Sequence, residues 1–293
     1  MVILLLQKQF EVYHNSRIKY YSDGSVKLSV ANGQVYKDSA FVVSDKSTYH
    51  APIVSSDVDE EIYLERKYKN RKDSVRRSKD KVFDIVKMNS WDFFFTGTLS
   101  DDCNVDRYDV EDVCKKVNTL MYNLVKRGKV IRYIFVPEFH KNGAVHYHGF
   151  ICLSDSARYY LAINPKTGKA LRRGKNRSFV FNWLDWNFGF TTLIHTYNDV
   201  QSMASYFSKY ITKGQDFPMK HRYYSGGDVV RSVPTEYVDF DFDSVPCDVT
   251  STDFGDFKFI SFNSVDDFTD FILCFMTQFE INNFYKGGLS YVV

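Results

Sequence analysis

Hydrophobic and polar positions along this chain fall into short alternating runs near the N-terminus. Further on, the pattern switches repeatedly between strand and helix periods. Within residues 1–60, runs such as Arg17–Tyr21 and Ser25–Val30 are separated by Ser22-Asp23-Gly24, and Asn32-Gly33 follows. Turn residues between alternating runs predict hairpins. Val54–Asp59 reads as a loop. Residues 61–88 contain no Gly or Pro, and Val75, Val82, Ile85 and Val86 give them a partial apolar face, so the pattern predicts a helix. Trp91–Leu99, dense in aromatics and threonine, predicts a strand. Val105–Arg127 predicts a second helix, with Val113, Val117, Leu120, Met121 and Leu124 at helical spacing. Val130–His140 and Val145–Leu153 then read as two strands around Lys141-Asn142-Gly143-Ala144, where Asn-Gly is a strong hairpin signal. Phe179–Tyr197 is aromatic and strand-like, and Asp199–Lys213 predicts a helix ending at Gly214. No internal repeat is present.

Composition narrows the class. The chain has 293 residues, 44% apolar and 25% charged. That mixture excludes wholesale disorder, a collagen and a coiled-coil rod. No run approaches the roughly 20 apolar residues that span a bilayer, so no membrane partner is expected. The six apolar residues Met1–Leu6 have no basic flank and make a poor signal peptide. Five scattered cysteines without a C-x-x-C suit a reducing cytoplasm rather than a disulfide scaffold or zinc ribbon.

The net charge of +2 conceals an asymmetry. Arg66–Lys87 holds ten Lys/Arg against three Asp, whereas Asp239–Val293 holds ten Asp/Glu against two Lys. The first segment, with Arg76 and Arg77 at its centre, is a candidate nucleic-acid face; a solvated helix surface is the plainer alternative. The second also carries eleven Phe. It is too apolar for a free acidic tail and is expected to pack on the rest of the chain or on another protein. A further basic stretch, Asn164–Arg177, reads as an exposed loop or hairpin tip bearing Lys166, Lys169, Arg172, Arg173, Lys175 and Arg177. Five residues separate Gly168 from Gly174 and no Ser or Thr follows Lys175, so it is not a Walker A loop and no ATPase is read.

Two constellations carry chemistry. In His146-Tyr147-His148 strand alternation puts both imidazoles on one face. If the hairpin loop is the three-residue Lys141-Asn142-Gly143 closed by a left-handed Gly, Glu138 lies directly opposite His146 on that face. Two imidazoles and a carboxylate with open positions would suit Mg²⁺ or Mn²⁺. One residue more or less in the loop would turn Glu138 to the other face, and a pair of solvent-facing polar residues is the alternative. The second constellation is Tyr206-Phe207-Ser208-Lys209-Tyr210-Ile211-Thr212-Lys213. On a helix, positions 206, 209, 210 and 213 share one face, while Met203, Ala204, Phe207 and Ile211 lie about 120° away. The two phenols and two ammoniums are therefore not required by the core. They suit attack on a phosphodiester, with an ordinary amphipathic helix as the alternative.

Taken in order, a strand ending Thr96-Gly97-Thr98-Leu99-Ser100, a Glu eight residues before H-x-H, and then YxxKYxxK resemble the HUH endonuclease superfamily. The order is most similar to its two-tyrosine rolling-circle replication initiators of small single-stranded DNA phages and plasmids. The resemblance spans about 61–238, including Trp186-Asn187-Phe188-Gly189-Phe190 and Arg222-Tyr223-Tyr224-Ser225. It implies a domain organisation of a β-rich extension (1–60), an HUH endonuclease domain (61–238) and an acidic Phe-rich extension (239–293). It implies metal ligands at Glu138, His146 and His148, nucleophiles at Tyr206 and Tyr210, and accompanying lysines at Lys209 and Lys213. A divalent metal, Mg²⁺ or Mn²⁺, is the implied cofactor. The implied activity is metal-assisted nicking and rejoining of single-stranded origin DNA, through a 5′-phosphotyrosine and a free 3′-OH. Implied partners are host helicase and DNA polymerase in a bacterial cytoplasm. Relaxases place the nucleophile before H-x-H and single-tyrosine transposases carry one, so both relatives fit less well. Gly97 departs from the family, where a bulkier residue is usual. The functional alternatives are a non-catalytic origin-binding module and a hydrolase using water.

The expected fold is α+β. An antiparallel, RRM-like or ferredoxin-like sheet should carry H-x-H on a central strand, with the tyrosine helix on its open face and the other helices behind. Trp183, Trp186 and Tyr197 are candidate base-stacking residues, with core packing as the alternative.

Overall fold

The computed structural model describes residues 13–37, 57–174, 176–196, 200–213, 221–252 and 255–275. Its elements begin with β1 (Tyr13–His14), β2 (Ser16–Tyr20), β3 (Val26–Ala31) and β4 (Tyr36–Lys37). There follow α1 (Asp57–Lys87), β5 (Phe93–Leu99), α2 (Val110–Lys126), β6 (Val130–Phe139), β7 (Val145–Leu153), β8 (Tyr159–Leu161), β9 (Arg172–Arg173), β10 (Ser178–Trp183) and β11 (Gly189–His195). The chain closes with α3 (Val200–Lys213), β12 (Tyr224–Gly227), β13 (Thr235–Val238), β14 (Val249–Thr252), β15 (Gly255–Phe262) and α4 (Val265–Phe275). The class is α+β with antiparallel pairing in every ladder.

Two compact units emerge: Met1–Ile53 with Val233–Val293, and Val54–Ser232. The first is a sheet of order β13-β2-β3-β15-β14. Phe268 and Ile272 of α4 bury against Ile18, Val26, Leu28 and Val30. The Phe-rich C-terminal segment is thus strand and helix partner to the N-terminal hairpin.

The second unit is a sheet of order β12-β6-β7-β5-β11-β10-β8, with β9 on β10. Strand β7, which carries both histidines, lies between β6 and β5. Side-chain alternation assigns its two faces. Phe95, Phe135, Tyr147 and Ile151 point to one side, where Val113, Val117, Met121 and Leu124 of α2 cover them. Ile134, Val136, Phe150 and Cys152 point to the other, under Val75, Val82, Ile85 and Val86 of α1 and Ala204, Phe207 and Ile211 of α3. Among the described helices of this unit, only α2 therefore lies behind the sheet. Helix α1, expected there too, packs beside α3 on the histidine face, because its apolar stripe matches Ile134, Val136 and Phe150.

Several boundaries differ from the sequence pattern, each for a local reason. Helix α1 starts at Asp57, inside the expected loop. Helix α2 starts at Val110, not Val105: the Asp109 carboxylate accepts from the Asp112 backbone N–H and caps it, while Val105 enters the core from a loop. Phe179–Tyr197 is two strands, because the segment from Leu184 to Phe188 turns with apolar residues. Asp185 anchors that turn, accepting from Lys129 Nζ at 2.5 Å and from the Arg158 backbone N–H at 3.1 Å.

Gly97 keeps β5 regular instead of disturbing it, since a Cβ there would lie 2.5 Å from Phe95 Cζ and 2.9 Å from Trp186 Cζ2. Gly149 on β7 is tighter: a Cβ would lie 2.1 Å from the Ile134 carbonyl oxygen. Gly149→Ala must push β6 and β7 apart, and the variant is expected to lose about 3 kcal/mol in denaturant unfolding.

Candidate active site

The β6–β7 hairpin sets the site. His140 N–H donates to the Ala144 carbonyl at 2.7 Å and Gly143 takes φ +86°, so the loop is the three residues Lys141-Asn142-Gly143. Glu138 then pairs with His146. His146 Nε2 lies 2.8 Å and His148 Nε2 3.1 Å from Glu138 Oε1, and the two Nε2 atoms are 3.0 Å apart. All three ligand atoms fall within 4.8 Å of one another. Thr96 of β5 pairs with His148, and its Oγ1 is 3.1 Å from His148 Nδ1. With the Nδ1 proton donated to that hydroxyl, His148 Nε2 presents its lone pair to the cluster.

Three lone-pair atoms this close repel one another unless a proton or a cation lies among them. The donor set, two imidazole nitrogens and one carboxylate with the remaining positions open, fits Mg²⁺ or Mn²⁺. Burial works to raise the Glu138 pKa, but hydrogen bonds to His146 and His148 and their charge outweigh it and hold the carboxyl at about 2, below its ordinary 4.5. A folded-state value below the unfolded one stabilises the fold above about pH 4.5, and that contribution is lost as pH falls towards about 2. In metal-free protein unfolded by denaturant between about pH 5 and about pH 2, wild type should lose on the order of 2–3 kcal/mol that Glu138→Gln does not.

Helix α3 lies over this trio. Tyr210 stacks on His148 with ring centroids 4.3 Å apart, and its hydroxyl is 2.7 Å from that of Tyr206. The two tyrosines differ in setting. Tyr206 is 53% exposed, against the Phe94 ring at 6.2 Å. Tyr210 is only 6% exposed and packs on Phe207 as well. Burial and the Tyr206 hydrogen bond raise the Tyr210 pKa well above the ordinary phenol value. Sequence spacing set both tyrosines apart from the core; Tyr210 belongs to it, because the ring of His148 rises from the sheet to meet it. Lys209 is exposed on the same helix, and the side chain of Lys213 lies outside the described residues.

The basic candidates are placed apart from the trio. Arg76 and Arg77 are exposed on α1, Arg76 3.9 Å from Asp73. Lys166, Lys169, Arg172, Arg173 and Arg177 are exposed around β9, and Lys175 lies outside the described residues. Arg172 pairs with Phe179, its guanidinium 3.8 Å from the ring centre, on the α2 side of the sheet; Arg173 pairs with Ser178 and takes the trio side. Trp183 and Trp186 are buried core residues and not stacking surfaces; Tyr197 lies outside the described residues.

Residues 92–215 match a family model described as replication-associated protein, ORF2 type. The matched span starts just before β5 and ends just past α3, so it contains the trio, Thr96 and both tyrosines. No curated protein and no solved structure matches the chain. Among the described residues no helix is long and apolar enough to cross a membrane.

Proposed function

We propose that this chain is a rolling-circle replication initiator of the two-tyrosine HUH type, which nicks and rejoins single-stranded origin DNA through a tyrosine. The observation that carries this reading is the convergence of Glu138, His146 and His148 beneath a bonded pair of tyrosine hydroxyls. Its support in sequence is the match of residues 92–215 to a replication-associated family.

Glu138, His146 and His148 would hold Mg²⁺ or Mn²⁺, which when bound polarises a phosphodiester and offsets charge on the departing oxygen. The chain's own groups do the rest. A tyrosine hydroxyl loses its proton and bonds to phosphorus, the P–O3′ bond breaks, and the 3′ oxygen takes up a proton. The strand is left with its 5′ phosphate on the tyrosine and a free 3′-OH, a primer for a host polymerase beside a host helicase. The phosphotyrosine link conserves the energy of the broken bond, so rejoining needs no ATP. Two tyrosines one helical turn apart let a second strand be cut while the first is held. Lys209 and Lys213 would offset phosphate charge, and Lys166, Lys169, Arg172, Arg173, Lys175 and Arg177, with Arg76 and Arg77, would follow the DNA backbone. A bacterial cytoplasm is the corresponding setting.

The test is a denaturing gel of the full chain with labelled single-stranded circular DNA from its own replicon and Mn²⁺. A denaturant-resistant protein–DNA band that requires metal supports the proposal. Cleavage without that band means attack by water; binding with neither means an origin-binding module.

A further inference from the structure

One side chain on the trio face has no role in the chemistry above. Phe190 is 74% exposed, the most exposed large apolar residue among those described. Isolated apolar residues are common on surfaces and by themselves mean little. The register makes this one different. Phe190 pairs with Thr98, Thr98 with His146, and His146 with Glu138. Directly paired residues in antiparallel ladders point to the same side. Phe190 therefore stands in the same cross-strand row as the trio, two strands from His146, or about 10 Å at ordinary strand spacing. Only Thr98, a small half-buried residue, lies between them.

The placement is built in. Gly189 takes φ +143°, and a Cβ there would lie 2.5 Å from the Ser100 backbone nitrogen and 2.7 Å from the Thr98 carbonyl oxygen. Only glycine lets β11 start this close to the end of β5. Phe188, just before it, is buried in the core on the α2 side, with Trp186. Phe190, just after it, is held by the ladder on the opposite face. Farther along that face Tyr160, 51% exposed, pairs with Asn182. The polar partner this surface can take is one with flat apolar rings on a polyanionic chain, since residues 156–184 contain seven Lys/Arg and no Asp or Glu.

We infer that Phe190 is a stacking platform for the unpaired base that flanks the phosphate held at Glu138, His146 and His148. The inference rests on the proposed DNA-nicking reading, and adds to it a residue that grips the base and not the backbone. Stacking on an aromatic ring contributes to single-stranded binding with little regard to base identity, because every base has a π face. Phe190 would fix where the strand lies without choosing its sequence.

The experiment compares the full chain in EDTA binding two probes of equal charge: a dT20 oligonucleotide and a 20-unit abasic strand. Wild type should prefer dT20. Phe190→Ala should weaken dT20 binding roughly tenfold and leave the abasic strand unchanged, while Phe190→Trp restores the preference. A single 2-aminopurine walked through the dT20 should show a quenched position at saturating protein that Phe190→Ala abolishes. The inference is overturned if Phe190→Ala binds dT20 as wild type does, weakens both probes equally, or changes only the oligomeric state. In those cases adduct formation by wild type leaves the nicking reading standing. If wild type binds neither probe and forms no adduct, the nicking reading falls, and the inference with it.

Discussion

Replacing both tyrosines, Tyr206→Phe with Tyr210→Phe, is expected to cut covalent capture of single-stranded DNA by at least about 10³-fold, with binding to the same DNA kept. No other phenol in the described structure shares the His148 ring and the 2.7 Å hydroxyl pair. The single variants should not be equal. Tyr206 is the exposed member and Tyr210 the buried one. The buried phenol is also the harder to ionise, because burial and its bond to Tyr206 favour the neutral form. Tyr206→Phe should therefore remove most of the first adduct on the denaturing gel. Tyr210→Phe should keep a first adduct and lose transfer of the held strand to a second site. A gel in which Tyr210→Phe loses the first adduct and Tyr206→Phe keeps it would reverse the assignment.

The second large effect concerns the trio. EDTA is expected to abolish the adduct, with Mn²⁺ or Mg²⁺ restoring it. In calorimetric titration of the DNA-free protein, His146→Ala or Glu138→Gln should lower Mn²⁺ affinity at least about a hundredfold. Thr96→Val tests the layer beneath. It keeps the shape of the side chain and removes the oxygen facing His148 Nδ1. Mn²⁺ affinity should then fall about tenfold, with stability changed by less than about 1 kcal/mol. Adduct formed equally well in EDTA would exclude a metal-assisted reaction, and unchanged Mn²⁺ binding in His146→Ala would remove the trio as the ion's site.

Much of this site is legible before any coordinates because short-range geometry determines it. An Asn-Gly hairpin has few loop lengths open to it, and the three-residue choice puts Glu138 opposite His146 by counting alone. The helical period likewise groups Tyr206 with Tyr210. Depth is a different quantity. A helical wheel gives the direction of Tyr210 but not the height of the His148 and Phe150 rings beneath it, so its burial is invisible in the sequence. The same limit hides α1, whose apolar stripe is plain at Val75, Val82, Ile85 and Val86 but whose side of the sheet depends on which strand face it matches. The turn after Trp183 escapes notice because Leu184, Trp186 and Phe188 make it apolar, where turn signals are sought among polar residues. Phe190 follows from that turn: its exposure depends on a register which only the placed strands reveal.

The sheet that joins the two ends of the chain has a bearing on how the protein is made. Strand β15 pairs with β3, and β13 with β2, across more than two hundred residues of intervening chain. During synthesis, β3 leaves the ribosome long before its neighbour exists. At about 5–20 residues per second the wait is on the order of 10–50 s. Through that interval the edge of β3, with Val26, Leu28 and Val30, has no β15 to cover it, although the larger unit is already complete enough to fold. Unpaired apolar edges are templates for intermolecular pairing. Chains cut short before Gly255 should accumulate in inclusion bodies, and a chaperone that shields β3 until the last strand emerges should rescue yield more than one acting after release.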